Sequence, residues 1–314
     1  MTVTYTPTSV SYTMPAYVEK LLTKHGMQDC NPTTMPLTPG FHLVREDQPT
    51  TIEEKTEVTT YFNKSFGLTN TDFASTVRSF ASTMQGMNWF ATMVCPGLRA
   101  AVSLTASASH CPSIKAIKAV KQMLRWIRGK TNDGITYTRI REYGVHEFPK
   151  MHYSSDASFA DHLDSAKSQG GVVGRFDDGA ATYFTPRRSG HVCTSTTHSE
   201  YYFGAEAARQ VSYELQLLRE LGFMIAAARL LMGNRPAIIE AGSEVRKFSQ
   251  RQKHCLLAER YLQQAVESGI LYIEHRRGAL LDVDAMTKAL PAATLRQHVH
   301  TLENGVHVAA IVEG

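Results

Sequence analysis

The chain is poor in the features that place a protein at once. Its five cysteines, Cys30, Cys95, Cys111, Cys193 and Cys255, are scattered with no C-x-x-C pair. An odd, dispersed set argues for reduced thiols and against a disulfide framework or a zinc site. No apolar run approaches the length of a membrane span. The opening MTVTYTPTSVSYTMP has neither a cationic nor an apolar stretch, so no signal peptide is expected. A strong net charge is missing too: a formal net charge of +4 permits a nucleic-acid partner without demanding one. No internal repeat or low-complexity tract stands out. These absences point to a soluble intracellular protein, cytoplasmic or nuclear, not secreted and with no membrane partner.

What is present is enough for two domains. With 314 residues, 43% hydrophobic and 20% charged, each half can bury a core of its own. A change of grammar near YGVHEFPK sets the expected boundary, with residues 1–145 on one side and 146–314 on the other. The first part reads as mainly helical. PAYVEKLLTKH gives a short helix over 15–25, NPTTMPLTPG an extended linker, and the polar, Thr-rich stretch 48–75 no clear element. Helical pattern returns from Ser75 to about Gly129.

The clearest element there is SIKAIKAVKQMLRWIRGK, where Ile117, Val120, Leu124 and Ile127 form one apolar stripe. Beside it run Lys115, Lys118, Lys121, Arg125 and Arg128, with no acid in the segment. Two readings stay open: a solvated cationic flank on a packed helix, or a track for a nucleic-acid backbone.

After the boundary strands come first and helices later. MHYSSDAS reads as a strand, and GGVVGRF and AATYFTP flank the turn signal Asp177-Asp178-Gly179. A helix follows from about Thr197 to Leu221, then a buried strand in IAAARLLM, helices near 234–242 and 253–267, the strand ILYIEH and a helical tail. This order predicts an α/β domain on a mixed sheet.

Three acids fall on different elements: Asp156 at the end of its strand, Glu200 early in its helix, and Asp284 opening a late helix, where it could equally be a cap. The inward stripe Gly204, Ala207, Ala208, Val211, Leu215 and Leu218 turns Glu200 toward the sheet, a costly placement without cations or partners. Hard oxygen ligands converging from separate elements suit magnesium and phosphodiester hydrolysis by a two-metal site. Each acid alone is more often structural.

Four blocks in order carry a resemblance. YSSDASFADHLDSAKSQGG, STTHSEYYFGAEAARQ, RQKHCLLAERY and DVDAMTKALP resemble the RNase H domain of copia-type (pseudovirus-type) retrotransposon Pol polyproteins. AYVEKLLTKHGMQDCNPTTMPL, MNWFATMVCPGLRAAVSLTAS and KAVKQMLRWIRGKTNDGITY resemble the end of the reverse transcriptase and its thumb or connection region. The resemblance implies an RNase H-like mixed five-stranded sheet flanked by helices. It implies Mg²⁺ or Mn²⁺ held by Asp156, Glu200 and Asp284, and an RNA–DNA hybrid as substrate. The polymerase Asp-Asp motif would lie upstream of Met1, so no polymerase activity is expected.

This chain departs from the family pattern at several places. Ala166 stands where the family tends to have Arg, Asp161 where it has Gly, and His198 where it has Glu. Above all, Met232-Gly233-Asn234 stands where the family has Cys-Asp-Asn. Losing that fourth carboxylate implies weak or lost metal binding and an impaired nuclease. Asn234 could offer a neutral oxygen in its place, while Glu240 lies nearly two helical turns further on. His254 is a candidate for product release or, equally, a packing residue. Lys253, Arg251, Arg276 and Arg277 could contact phosphates. The alternatives to a nuclease are a catalytically inactive nucleic-acid-binding or scaffold module, partnered by nucleic acid or the remainder of a Pol polyprotein, and a relic with no selected role.

Overall fold

A computed structural model describes residues 1–144, 148–241 and 253–305. The chain forms two compact units, Met1–Thr136 with Lys288–Val299, and Tyr137–Thr287 with His300–Gly314. Among the described residues, no helix is long and apolar enough to cross a membrane.

The first unit packs helices α1 (Pro15–Lys24), α2 (Ile52–Phe66), α3 (Phe73–Met93), α4 (Arg99–Thr105) and α5 (Ile114–Arg128) around one apolar core. The Thr-rich stretch without a clear element is α2. Its helicity is decided at the ends: Thr51 Oγ1 accepts from the Glu54 N–H at 3.2 Å, the Glu54 carboxylate accepts from the Thr51 N–H at 3.0 Å, and Gly67 closes the helix at φ +63°. Between those caps a sparse stripe of Val58, Phe62 and Phe66 is buried. Three short strands also went unanticipated in this mainly helical region. They are β1 (Thr2–Tyr5), β2 (Ser9–Thr13) and β3 (Gly134–Thr138), in that sheet order. No residue of β1 or β2 is buried, so no inward-outward alternation marked them.

The second unit is built on β4 (Met151–His162), β5 (Lys167–Phe176), β6 (Ala181–Arg188), β7 (Ala228–Met232) and β8 (Leu271–His275). They form one sheet in the order β6-β5-β4-β7-β8. The first three strands run antiparallel, and β4, β7 and β8 run parallel. Helices α6 (Thr196–Glu220), α7 (Arg235–Ala241), α8 (Lys253–Glu267) and α9 (Asp284–Thr287) flank it, and α10 (Ala292–Asn304) follows in the chain. This is a mixed five-stranded α/β sheet flanked by helices, as the sequence led one to expect. The expected hairpin turn joins β5 to β6, with Asp177 in the left-handed region at φ +47°.

The core of this unit lies between the sheet and α6. Ala207, Ala208, Val211 and Leu215 are buried, and Gly204 lets the helix approach so closely that a Cβ there would meet Leu262 at 3.0 Å and Met232 at 3.2 Å. The stripe that aims Glu200 inward is therefore real packing, because α6 contacts both β4 and α8.

Candidate active site

Asp156 is not at the end of its strand. β4 runs on to His162, with a register shift against β5 between Ser158 and His162. Asp156 instead sits level with the point where the neighbouring strand β7 stops. Ser155 pairs with Met232, the last residue of β7, so Asp156 and Gly233 come next, side by side.

Glu200 reaches Asp156 from the first turns of α6. Ser195 caps that helix, its hydroxyl accepting from the His198 N–H at 3.0 Å, and this sets the rotation that buries Glu200. The Glu200 carboxyl is pushed up to about 9, first by burial, then by the charge and hydrogen-bonding proximity of Asp156, and further by Asp284; the Ala157 N–H opposes the shift. Its Oε2 atom is buried with no hydrogen-bond partner. Asp284 is the first residue of α9 and lies within the first turn rather than at the cap. Thr287, one turn on, joins two of the acids: its hydroxyl is 3.1 Å from Asp156 Oδ2 and 3.2 Å from the Asp284 carbonyl oxygen.

Two features hold α9 over the sheet. Gly171, the β5 partner of Asp156, leaves no room for a side chain, since a Cβ there would lie 2.3 Å from Met286 Cβ. Asp282, just before α9, forms a buried ion pair with Arg175 of β5. The sheet thus fixes the segment that presents Asp284 both by shape and by charge.

The fourth position is empty of side chain but not of space. A Cβ at Gly233 would meet Leu281 Cδ1 at 3.6 Å and the Arg276 carbonyl oxygen at 3.9 Å, ordinary contacts both. Asn234 does not stand in for the missing acid. Its Oδ1 accepts from the Ala237 N–H at 3.1 Å and caps α7, so that oxygen is committed to the backbone. Glu240 lies on α7 as expected, and its side chain falls outside the described residues.

Some of the remaining sequence candidates fall outside the described side chains, and others belong to the first unit. Lys253 and His254 open α8, and their side chains, like Arg251, lie outside the described residues. The cations of α5 belong to the first unit, and three of them hold its extended segment. Lys115 pairs with Asp47 at 2.9 Å, Arg125 Nε donates to the Asn31 carbonyl at 2.8 Å, and Arg128 Nε donates to the Gln28 carbonyl at 2.7 Å. Lys118 is exposed.

Three acids that crowd one another, with one buried orphaned oxygen, fit a hard divalent cation well. Without a cation, burial and mutual repulsion keep the Glu200 proton on. Comparison with known proteins finds similar transposon Pol polyproteins. The chain is 24% identical over 277 residues to the retrovirus-related Pol polyprotein from transposon TNT 1-94 of Nicotiana tabacum, covering 88% of this chain and 19% of that one. Over most of its length it resembles transposon Pol polyproteins.

The Pol polyprotein from transposon RE1 of Arabidopsis thaliana is 23% identical over 90% of this chain and 17% of its own length. The chain thus spans about a fifth of these Pol relatives. No family model matches it. Similar solved structures include the N-terminal RNase H domain of a Mycobacterium tuberculosis protein, at 14% identity and a TM-score of 0.33, covering 49% of this chain and 99% of that one. Another is RNase H1 from Halobacterium salinarum, at 15% identity and a TM-score of 0.32, covering 44% of this chain and 94% of that one.

Sequence reading missed Thr287, Gly171 and the Arg175–Asp282 pair. The glycines carried a signal, because glycine inside a strand marks a close approach by another element. The ion pair carried none: its partners are 107 residues apart in the chain.

Proposed function

We propose that this chain carries an RNase H-type hydrolase site for the RNA strand of RNA–DNA hybrids, weakened by Gly233. The observation that carries the reading is the Glu200 carboxyl, buried and orphaned at Oε2 while it faces Asp156 and Asp284. Asp156, Glu200 and Asp284 would hold Mg²⁺ or Mn²⁺, which when bound supplies an activated water and neutralises the leaving oxygen of a phosphodiester. Asp156 is central, because Glu200 and Thr287 both address it. Thr287 orients the Asp156 carboxylate and links it to the turn carrying Asp284. Gly233 removes the one acid that the end of β7 would contribute. The likeness to Pol polyproteins supports the hybrid as substrate and the remainder of such a polyprotein as partner.

A labelled hybrid incubated with Mg²⁺ or Mn²⁺ tests the reading. Slow cleavage confined to the RNA strand is expected, and cleavage no faster than that of Asp156→Asn would overturn it.

A second reading is favoured by the empty position itself. With Gly233 bare and Asn234 capping α7, the site lacks a complete ligand set, and the domain would bind hybrid without cutting it. Binding that weakens steeply with salt, with no cleavage in either metal, is its signature. Failure to bind hybrid or single strands would sink it.

A further inference from the structure

Outside the carboxylate cluster, the connection between β6 and α6 gathers a different chemistry. His191, Cys193 and His198 bring three ligand-capable atoms within 4.8 Å of one another, with Cys193 and His198 buried. The two imidazoles are tilted 31° to each other with centroids 5.4 Å apart, and their Nε2 atoms are 3.4 Å apart. That separation is long for an N–H···N hydrogen bond. It matches the edge of a zinc tetrahedron, where two nitrogens at about 2.0–2.1 Å from the ion stand about 3.4 Å apart.

We propose that His191, Cys193 and His198 form a binding site for a thiophilic divalent cation, Zn²⁺, distinct from the magnesium-type carboxylate site. A thiolate and two imidazoles are soft and borderline ligands that favour Zn²⁺ over Mg²⁺, and three protein ligands leave one position for water. The H-x-C-x₄-H spacing in HVCTSTTH escaped a search for cysteine pairs because only one ligand is a cysteine.

The surroundings are suited to ligands held in place. Burial pushes the Cys193 thiol up, and the Ser168 hydroxyl within hydrogen-bonding reach works against that effect. The Ser189 N–H side of the loop is not free to wander, because Ser189 N donates to the Ser168 carbonyl at 2.8 Å and Ser189 Oγ to the His191 carbonyl at 2.7 Å. Tyr202 stacks edge-on against the His191 ring at 5.2 Å.

His198 changes its contact with Thr194 to take part. Its Nδ1 now accepts from the Thr194 N–H at 3.2 Å, which places the ring proton on Nε2. Ligation through Nε2 moves a proton to Nδ1, which then donates to Thr194 Oγ1 at 3.3 Å, and the Thr194 N–H contact is given up. Cys193 releases its thiol proton to solvent as the ion binds. Two residues beyond His198 stands Glu200, so an ion here would staple the start of α6 and hold Glu200 in register.

Titration of the full chain with Co²⁺, followed by competition with Zn²⁺, tests the site. One equivalent should give the thiolate-to-cobalt charge-transfer absorption and the intense visible bands of tetrahedral cobalt, both displaced by Zn²⁺. Cys193→Ser should abolish the charge-transfer absorption, and Asp156→Asn should keep it. His191→Ala should weaken Zn²⁺ binding by about 100-fold or more, beyond the usual effect of an outer-shell partner. Since His191 is only half-buried, that variant keeps the test usable if Cys193→Ser fails to fold. The proposal is overturned if the absorption never appears, if it survives Cys193→Ser, or if His191→Ala binds Zn²⁺ as tightly as the parent.

Discussion

Gly233 stands beside Asp156. The pairing of Ser155 with Met232 ends the β4–β7 ladder, and the next residue on each strand is one of these two. Asp156 sits within a cluster of acids while Gly233 offers only backbone. The two positions follow the last pair of adjacent parallel strands, so a side chain on one would face the environment of the other. On the proposed reading, what residue 233 carries decides how well the cluster works.

Gly233→Asp should raise hybrid cleavage by on the order of 10²–10³-fold, the usual effect of one group that stabilises transition-state charge. The position tolerates the change, since a Cβ would meet nothing closer than Leu281 Cδ1 at 3.6 Å. Single-turnover rates on a labelled hybrid at saturating magnesium are the measurement. A folded Gly233→Asp protein that cuts no faster would show that the fourth carboxylate is not what limits the site.

Glu200 makes the metal-free fold sensitive to pH. Its folded-state value of about 9 lies above its ordinary 4.5, so its contribution to stability is fully present below about 4.5 and is lost as pH rises toward 9. Glu200→Gln keeps the neutral, hydrogen-bonding form at every pH. In metal-free buffer the variant should gain unfolding free energy, and with it melting temperature, over the parent, with the free-energy gap widening from pH 5 to pH 9 by an amount on the order of a few kcal/mol. Magnesium should narrow the gap by stabilising the parent alone. Parallel melting curves across that range would contradict the assignment of Glu200 as a strained carboxyl.

Gly171→Ala should cost about 1–3 kcal/mol, the range for overpacking a well-filled site, because the new Cβ falls 2.3 Å from Met286 Cβ. The clash lifts α9, so cleavage and magnesium affinity should fall together. Gly233→Ala is the matched control, as its Cβ makes ordinary contacts. Urea unfolding of the two variants separates them, and equal stability would remove Gly171 from the machinery.

The sequence revealed most where a residue type and its spacing act locally. The stripe Gly204, Ala207, Ala208, Val211 and Leu215 showed which way Glu200 points, since helical periodicity ties its direction to its neighbours. The Asp177-Asp178-Gly179 turn and both its strands were legible for the same reason. Other features were not, beyond the strands and contacts already named. The end of Asp156's strand was misplaced because β4 outruns β7, a matter of which neighbour stops first. The helix α2 was hidden because its apolar stripe is thin and its caps decide it. For the cations of α5 the sequence left a solvated flank and a phosphate track open, and the partners of Lys115, Arg125 and Arg128, namely Asp47, Asn31 and Gln28, are brought to them only by the fold of the first unit.

The Arg175–Asp282 pair is the last element that the site depends on. Both side chains are buried, and the pair ties the β5 strand to the segment leading into α9. Removing one partner leaves the other charge buried without its counter-ion, which costs about 3–5 kcal/mol, whereas replacing both with apolar or neutral groups is often close to neutral. Arg175→Met should therefore be strongly destabilised, and Arg175→Met combined with Asp282→Asn should recover much of the loss. Stability alone does not make the pair relevant to function, so the second readout is magnesium affinity in the recovered double variant. If the pair positions Asp284, the double variant folds well yet binds magnesium more weakly, because Gly171 and Met286 then hold α9 by shape alone. A double variant with parental stability and parental magnesium affinity would confine the pair to a purely structural part.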